Sequence, residues 1–174
     1  MTYPAIEKLI RDVPDFPKPG IIFKDMTPVL LDPDAMAEIV AALHDWAAPL
    51  DPDVIVGIES RGFIFGTPLA LSLRRGFIPV RKVGKLPSSV LRETYDLEYG
   101  TNSIEIHEDA LSTGQRVLVI DDLLATGGTA AAAGRLIERL GCTVAGYGFV
   151  MELAFLSGRS VLGDVPIKSL VHVE

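Results

Sequence analysis

The side chains most able to do chemistry lie within residues 117–130, which read Val-Leu-Val-Ile-Asp-Asp-Leu-Leu-Ala-Thr-Gly-Gly-Thr-Ala. Two adjacent carboxylates, Asp121 and Asp122, follow an apolar run and precede a Thr-Gly-Gly-Thr turn. A carboxylate accepts hydrogen bonds from vicinal hydroxyls. Backbone N–H groups at a helix start attract anions, and the missing Cβ at Gly127 and Gly128 lets an anion come close. Thr126 and Thr129 add hydroxyl donors. Singly, each threonine is also an ordinary helix cap and each glycine an ordinary tight turn. Together they suit a sugar phosphate better than a triphosphate, which the acids would repel. The lysine of a Walker loop and the spaced glycines of a dinucleotide fingerprint are both missing.

Cations form a second group. Ser60 and Arg61 follow the apolar run 54–58, and the Arg61 guanidinium offers a fork of donors matched to phosphate, although it could equally pair with Glu59. Arg74, Arg75, Arg81, Lys82 and Lys85 cluster within a short stretch of a chain whose net charge is −7. Such a cluster attracts a small polyanion or simply forms a solvated edge. A third group is the proline-bracketed segment 15–28, where Phe23 is either one wall of a slot for a flat ring or a plug that pins the loop.

These groups need a scaffold. The runs 54–58 and 117–120 predict buried strands of a parallel sheet, whose ligands sit beyond the carboxyl ends of the strands. Asp32 and Pro33 read as the start of a helix carrying Met36, Ile39, Val40, Leu43 and Ala47 on one face. Helices are also expected over about 3–13, 63–74 and 129–140, the last closed by Gly141. Further strands are expected at 77–80, 103–106, 143–151 and 167–173. The polar stretch 84–100 is too long for a plain connector and predicts a binding loop, with Tyr95, Leu97 and Tyr99 free to pair as an edge strand. The alternation of strand and helix predicts one α/β domain, a mainly parallel twisted sheet flanked by helices.

The totals exclude several classes. Apolar residues make up 48% of 174 residues and charged residues 22%, as in an ordinary globular domain. The acidic balance argues against a nucleic-acid surface. One cysteine, Cys142, rules out an internal disulfide framework, and core packing is its expected role. The opening residues lack the basic and apolar regions of a secretory signal, and no apolar run reaches spanning length, so a cytoplasmic protein is expected.

The acid-and-glycine stretch resembles the 5-phosphoribosyl-1-pyrophosphate (PRPP) motif of the type I phosphoribosyltransferases. Four further stretches occur in the order found in adenine phosphoribosyltransferases: Phe-Pro-x-Pro-Gly-Ile-Ile-Phe-Lys-Asp, Glu-Ser-Arg-Gly-Phe-x-Phe-Gly, Arg-Lys-x-Gly-Lys-Leu-Pro and Tyr-x-Leu-Glu-Tyr-Gly. The resemblance spans roughly residues 3–155. It implies transfer of a phosphoribosyl group from PRPP to adenine, with AMP and pyrophosphate as products. Asp121 and Asp122 would hold the ribose hydroxyls, and Ala125, Thr126, Gly127, Gly128 and Thr129 the 5-phosphate. Ser60, Arg61, Arg81 and Lys85 would contact pyrophosphate, with Lys82 a weaker candidate. Ile22, Phe23 and Lys24 would read adenine from an N-terminal hood, residues 1–34. Glu98 would be the general acid or base in a lid over residues 82–102, with Tyr99 closing above the site. Lys24 stands where several members carry arginine, which a backbone reading of the base would survive. The resemblance further implies Mg²⁺ bound through PRPP and water, a homodimer, and a cis peptide near Glu59 and Ser60. Two rivals remain, a transferase for another purine and a PRPP-sensing module without catalysis.

Overall fold

The computed structural model describes residues 3–96 and 101–174. Its centre is a parallel pair, β3 (Val54–Ile58) and β7 (Arg116–Leu124), in register from Val54 against Val117 to Gly57 against Ile120. Side chains alternate along the pair. Val54, Val56, Ile58, Val117 and Val119 enter one core, while Ile55, Leu118 and Ile120 enter the other. The first core is closed by α5 (Gly128–Arg139) and the second by α3 (Pro33–Ala47) and α4 (Gly62–Leu73). Burial on both faces is why these strands read as unbroken apolar runs.

Around this pair, the described residues form a seven-stranded sheet in the order β5-β6-β4-β3-β7-β8-β9. The remaining members are β4 (Gly76–Lys82), β5 (Val90–Asp96), β6 (Thr101–His107), β8 (Thr143–Leu153) and β9 (Ile167–Val173). The pairs from β4 across to β9 are parallel, whereas β6 runs antiparallel to both β4 and β5. The expected mainly parallel α/β sheet is present. Asp32 caps α3 as expected, its carboxylate accepting from the N–H of Asp34 at 3.0 Å and of Ala35 at 2.9 Å. Gly141, with φ +76°, follows α5. Cys142 is free and buried.

Three expectations change. The helix expected over 3–13 is only α1 (Pro4–Leu9); Val13 instead lies in β1 (Arg11–Pro14), because the residue before a proline is held extended. The proline-bracketed segment 15–28, outside the expected strands, contains β2 (Ile22–Asp25), antiparallel to β1 and tied to it by the Arg11–Asp25 and Lys24–Asp12 ion pairs. A short helix, α2 (Thr27–Leu31), follows. The long binding loop is also narrower than expected. Residues of β5 pair with β6 from Val90 against His107 to Asp96 against Thr101, so polar side chains here decorate a hairpin instead of a free loop.

Candidate active site

Strand β3 has β4 on one side and β7 on the other, and the chain leaves β3 into α4 and β7 into α5 on opposite faces of the sheet. That divergence opens a crevice at the carboxyl ends of the two strands. Pairing of β7 with β3 stops at Ile120, so Asp121 lies level with Ile58, the last residue of β3, and Asp122 just past it. They do not leave the sheet, however. Strand β7 continues to Leu124 alongside β8, so the acids sit on rigid strand where the sequence suggested a strand end.

Two cavities meet here. One, of about 280 Å³, is lined by Glu59, Ser60, Arg61, Lys82, Tyr95, Asn102, Ile104, Asp121, Asp122 and Thr129. The other, about 70 Å³, is lined by Asp121, Leu123, Leu124, Ala125, Thr126, Gly127, Gly128, Thr129 and Ala130. Asp121 and Thr129 line both, so Asp121 stands at the mouth of the glycine-threonine nest, with Asp122 beside it in the larger cavity. Gly127 adopts φ +81°, and an added Cβ there would lie 2.3 Å from the carbonyl oxygen of Gly158. The nest therefore accepts only glycine at this position. A Cβ at Gly62, the first residue of α4, would meet the Ile120 carbonyl oxygen at 2.8 Å and Asp121 Oδ1 at 2.9 Å. Glycine lets the start of α4 lie directly against the acid.

The acids are electrostatically unlike. Burial and the adjacent Asp122 carboxyl push the Asp121 carboxyl well above the usual aspartate range, against the opposing pull of the Asp122 N–H and Arg61. Asp122 is 5% exposed, and Arg61 Nε stands 2.8 Å from its Oδ2. The N–H does not point along a hydrogen bond, so this buried oxygen has charge compensation but no donor. Arg61 thus pairs with Asp122, and the expected alternative partner Glu59 instead binds Arg81 Nε at 3.0 Å and the Lys82 N–H at 3.1 Å. The Glu59–Ser60 peptide is cis.

The comparisons agree with one another. Residues 27–159 match the sequence profile of the phosphoribosyl transferase domain. A Synechococcus adenine phosphoribosyltransferase is 57% identical over 168 residues, covering 96% of this chain and 95% of that one. The crystal structure of the Thermoanaerobacter pseudethanolicus adenine phosphoribosyltransferase matches at TM-score 0.94 and 50% identity, over 98% of this chain and 99% of that one. This chain belongs to the adenine phosphoribosyltransferases. The Saccharomyces cerevisiae adenine phosphoribosyltransferase, solved with an imino-altritol bisphosphate and adenine, matches at TM-score 0.90 and 43% identity, over 96% and 97% of the two chains.

Not every residue expected from the phosphoribosyltransferase resemblance reaches the crevice. Ser60, Arg61, Asp121, Asp122 and the nest residues do. Of the cations, Lys82 lines the larger cavity, while Arg81 and Lys85 do not: Arg81 is turned to Glu59 and stacks 5.9 Å above the Phe63 ring. Strand alternation separates Arg81 from Lys82, which a count of positive charges in sequence does not reveal. Ile22, Phe23 and Lys24 lie in β2, outside the lining of both cavities. Lys24 Nζ pairs with Asp12 at 2.7 Å, and Phe23 meets Phe16 edge-on at 5.2 Å. Glu98 and Tyr99 lie outside the described residues. Sequence reasoning missed Asn102, Gly158 and the cleft-lining role of Tyr95; the strand alternation of 101–107 and the Gly-Arg step at 158–159 were the available signals. No helix among the described residues is long and apolar enough to cross a membrane.

Proposed function

We propose that the protein transfers the 5-phosphoribosyl group of PRPP to adenine, giving AMP and pyrophosphate in purine salvage. The observation that carries this reading is the sharing of Asp121 and Thr129 between cleft and nest. A pentose spanning them meets acceptors for its ring hydroxyls at one end and anion donors at the other. In this reading the nest of Ala125, Thr126, Gly127, Gly128 and Thr129 holds the 5-phosphate, and Asp121 and Asp122 hold the 2- and 3-hydroxyls. Departure of pyrophosphate leaves positive charge on the sugar and negative charge on the leaving group. The two acids stabilise the first, and Ser60, Arg61 and Lys82 stabilise the second; Arg81, once it leaves Glu59, and Lys85 are the further candidates from β4 and the turn after it. The C–O bond to pyrophosphate breaks, the bond from C1 to the purine nitrogen forms, and the nitrogen's proton passes to Glu98.

Ile22, Phe23 and Lys24 are assigned to the base, with the Phe23 ring against the purine and backbone groups reading its edge. The half-buried Phe23 and exposed Ile22 on a small separate sheet support this. The site fits Mg²⁺ carried in by PRPP and held through PRPP oxygens and water: the Asp121 and Asp122 carboxyls line the cleft, where they would accept from the ion's waters. When bound, the ion neutralises diphosphate charge. A single cysteine, and so no internal disulfide framework, supports a cytoplasmic setting. A homodimer is supported by the apolar groove of about 570 Å³ lined by Met36, Ala37, Val40 and Pro68, beside exposed Ile64 and Leu71 on the same face of α4.

The test is to incubate the protein with PRPP and Mg²⁺ plus adenine, hypoxanthine, guanine or xanthine separately, and to follow pyrophosphate release. Release with adenine alone supports the reading; release with a 6-oxopurine instead moves the assignment to another base, and release with none refutes catalysis. Glu98→Gln should lower kcat about a hundredfold.

A further inference from the structure

The hydroxyl of Thr129 is already engaged. Its Oγ1 donates to the Tyr95 hydroxyl at 3.0 Å, while α5 has no side-chain cap at its start, so this threonine does not cap its own helix. Tyr95 is 7% exposed, its ring packs in the core that α5 closes, and it lines the larger cavity. The strand that carries it lies along α5, where Arg135 and Arg139 hold Glu93 at 2.6 and 3.1 Å. Tyr95 is the polar contact from that strand to the first turn of α5, beside the nest.

A hydroxyl has a single proton to give. With the proton directed at Tyr95, Thr129 turns lone pairs toward the nest and would repel a phosphate oxygen. The contact is reversible because tyrosine is donor as well as acceptor. We infer that Tyr95 is a positioning residue for PRPP: on arrival of the 5-phosphate the hydrogen bond reverses, the Tyr95 hydroxyl donates to Thr129 Oγ1, and Thr129 donates to phosphate. No bond other than hydrogen bonds changes. In a chain of this kind each bond polarises the next, so the phenol strengthens the donor that touches the anion. The inference rests on the nest holding the 5-phosphate, as proposed above.

Tyr95→Phe keeps the ring and removes the phenol oxygen. Calorimetric titration with ribose 5-phosphate and steady-state kinetics with PRPP and adenine should show the dissociation constant and the PRPP KM raised about fivefold, because the Thr129 donor loses the phenol that orients and polarises it toward the anion. The adenine KM should stay the same. Combined with Thr129→Val, the two losses should be far from additive, because both variants break one chain. Replacing Tyr95 by 3-fluorotyrosine keeps the shape and supplies a more acidic phenol, so ribose 5-phosphate should bind more tightly. Wild-type affinity in Tyr95→Phe, additive losses in the double variant, or unaltered binding with 3-fluorotyrosine would each overturn the inference. If the unaltered protein fails to bind ribose 5-phosphate, it is the nest assignment that falls.

Discussion

Asp121 occupies a position where apo stability and substrate binding oppose one another. Its carboxyl is held above the ordinary value of 3.8 by burial and by Asp122. The folded protein therefore keeps a proton that the unfolded chain gives up above that pH, and stability falls as pH rises from 3.8 toward the raised value. Asp121→Asn abolishes this loss. Thermal melts of the apo forms should show the variant gaining on the wild type as pH increases, while its PRPP KM rises about tenfold or more because a charged acceptor is lost. Equal melting at every pH would remove the raised carboxyl from the account. Asp122, with its neighbouring guanidinium and undonated oxygen, is the complementary half of the same wall.

At the scale of elements, the nest is as much a product of what lies behind it as of its own residues. The turn that begins at Gly158 packs against the nest so closely that a Cβ at Gly158 would lie 2.1 Å from the Ala125 carbonyl oxygen. Arg159 locks that turn to the buried Glu152 of β8, with Nε–Oε1 at 2.8 Å and Nη2–Oε2 at 2.7 Å. Gly158→Ala should cost about 2 kcal/mol by overpacking. It should also raise the PRPP KM with little change for adenine; a variant that loses stability alone would make the turn a purely structural prop. Of this backing the sequence offered only the Gly-Arg step at 158–159, because Gly158 and Ala125 meet only through the third dimension. What was legible is local: the capping pair Asp32 and Pro33, the apolar runs of β3 and β7, and the order of acid, turn and glycine. The β1–β2 pair was hidden because its strands are short, proline-flanked and only partly buried. The hairpin of β5 and β6 was legible in part, from the alternation at Tyr95 and the strand expected at 103–106; the rest read as loop because its polar side chains are satisfied across strands, as Arg92 is by the buried Glu105 at 2.7 Å. Charge counting likewise could not tell Lys82 from Arg81, since alternation along β4, with Arg81 held by Glu59, decides which cation faces the cleft.

For the whole molecule, the sheet supplies one crevice and leaves one helical face underdressed. Leu71 is 74% exposed in the isolated chain and shares a face of α4 with Pro68 and Ile64. Sedimentation equilibrium should give a dimer, and Leu71→Glu should shift it to monomer; a wild-type monomer would dismiss the second copy as occupant. Ligand should stabilise the fold through the crevice, with PRPP at a hundred times its dissociation constant adding about 2.7 kcal/mol. The most direct measurement is a titration of the isotope-labelled protein with ribose 5-phosphate, following backbone amide resonances. Saturable shifts centred on Ala125, Thr126, Gly127, Gly128 and Thr129, with Asp121 and Asp122 responding at the same ligand concentration, are the expected result. Binding that leaves those amides unmoved would contradict the account.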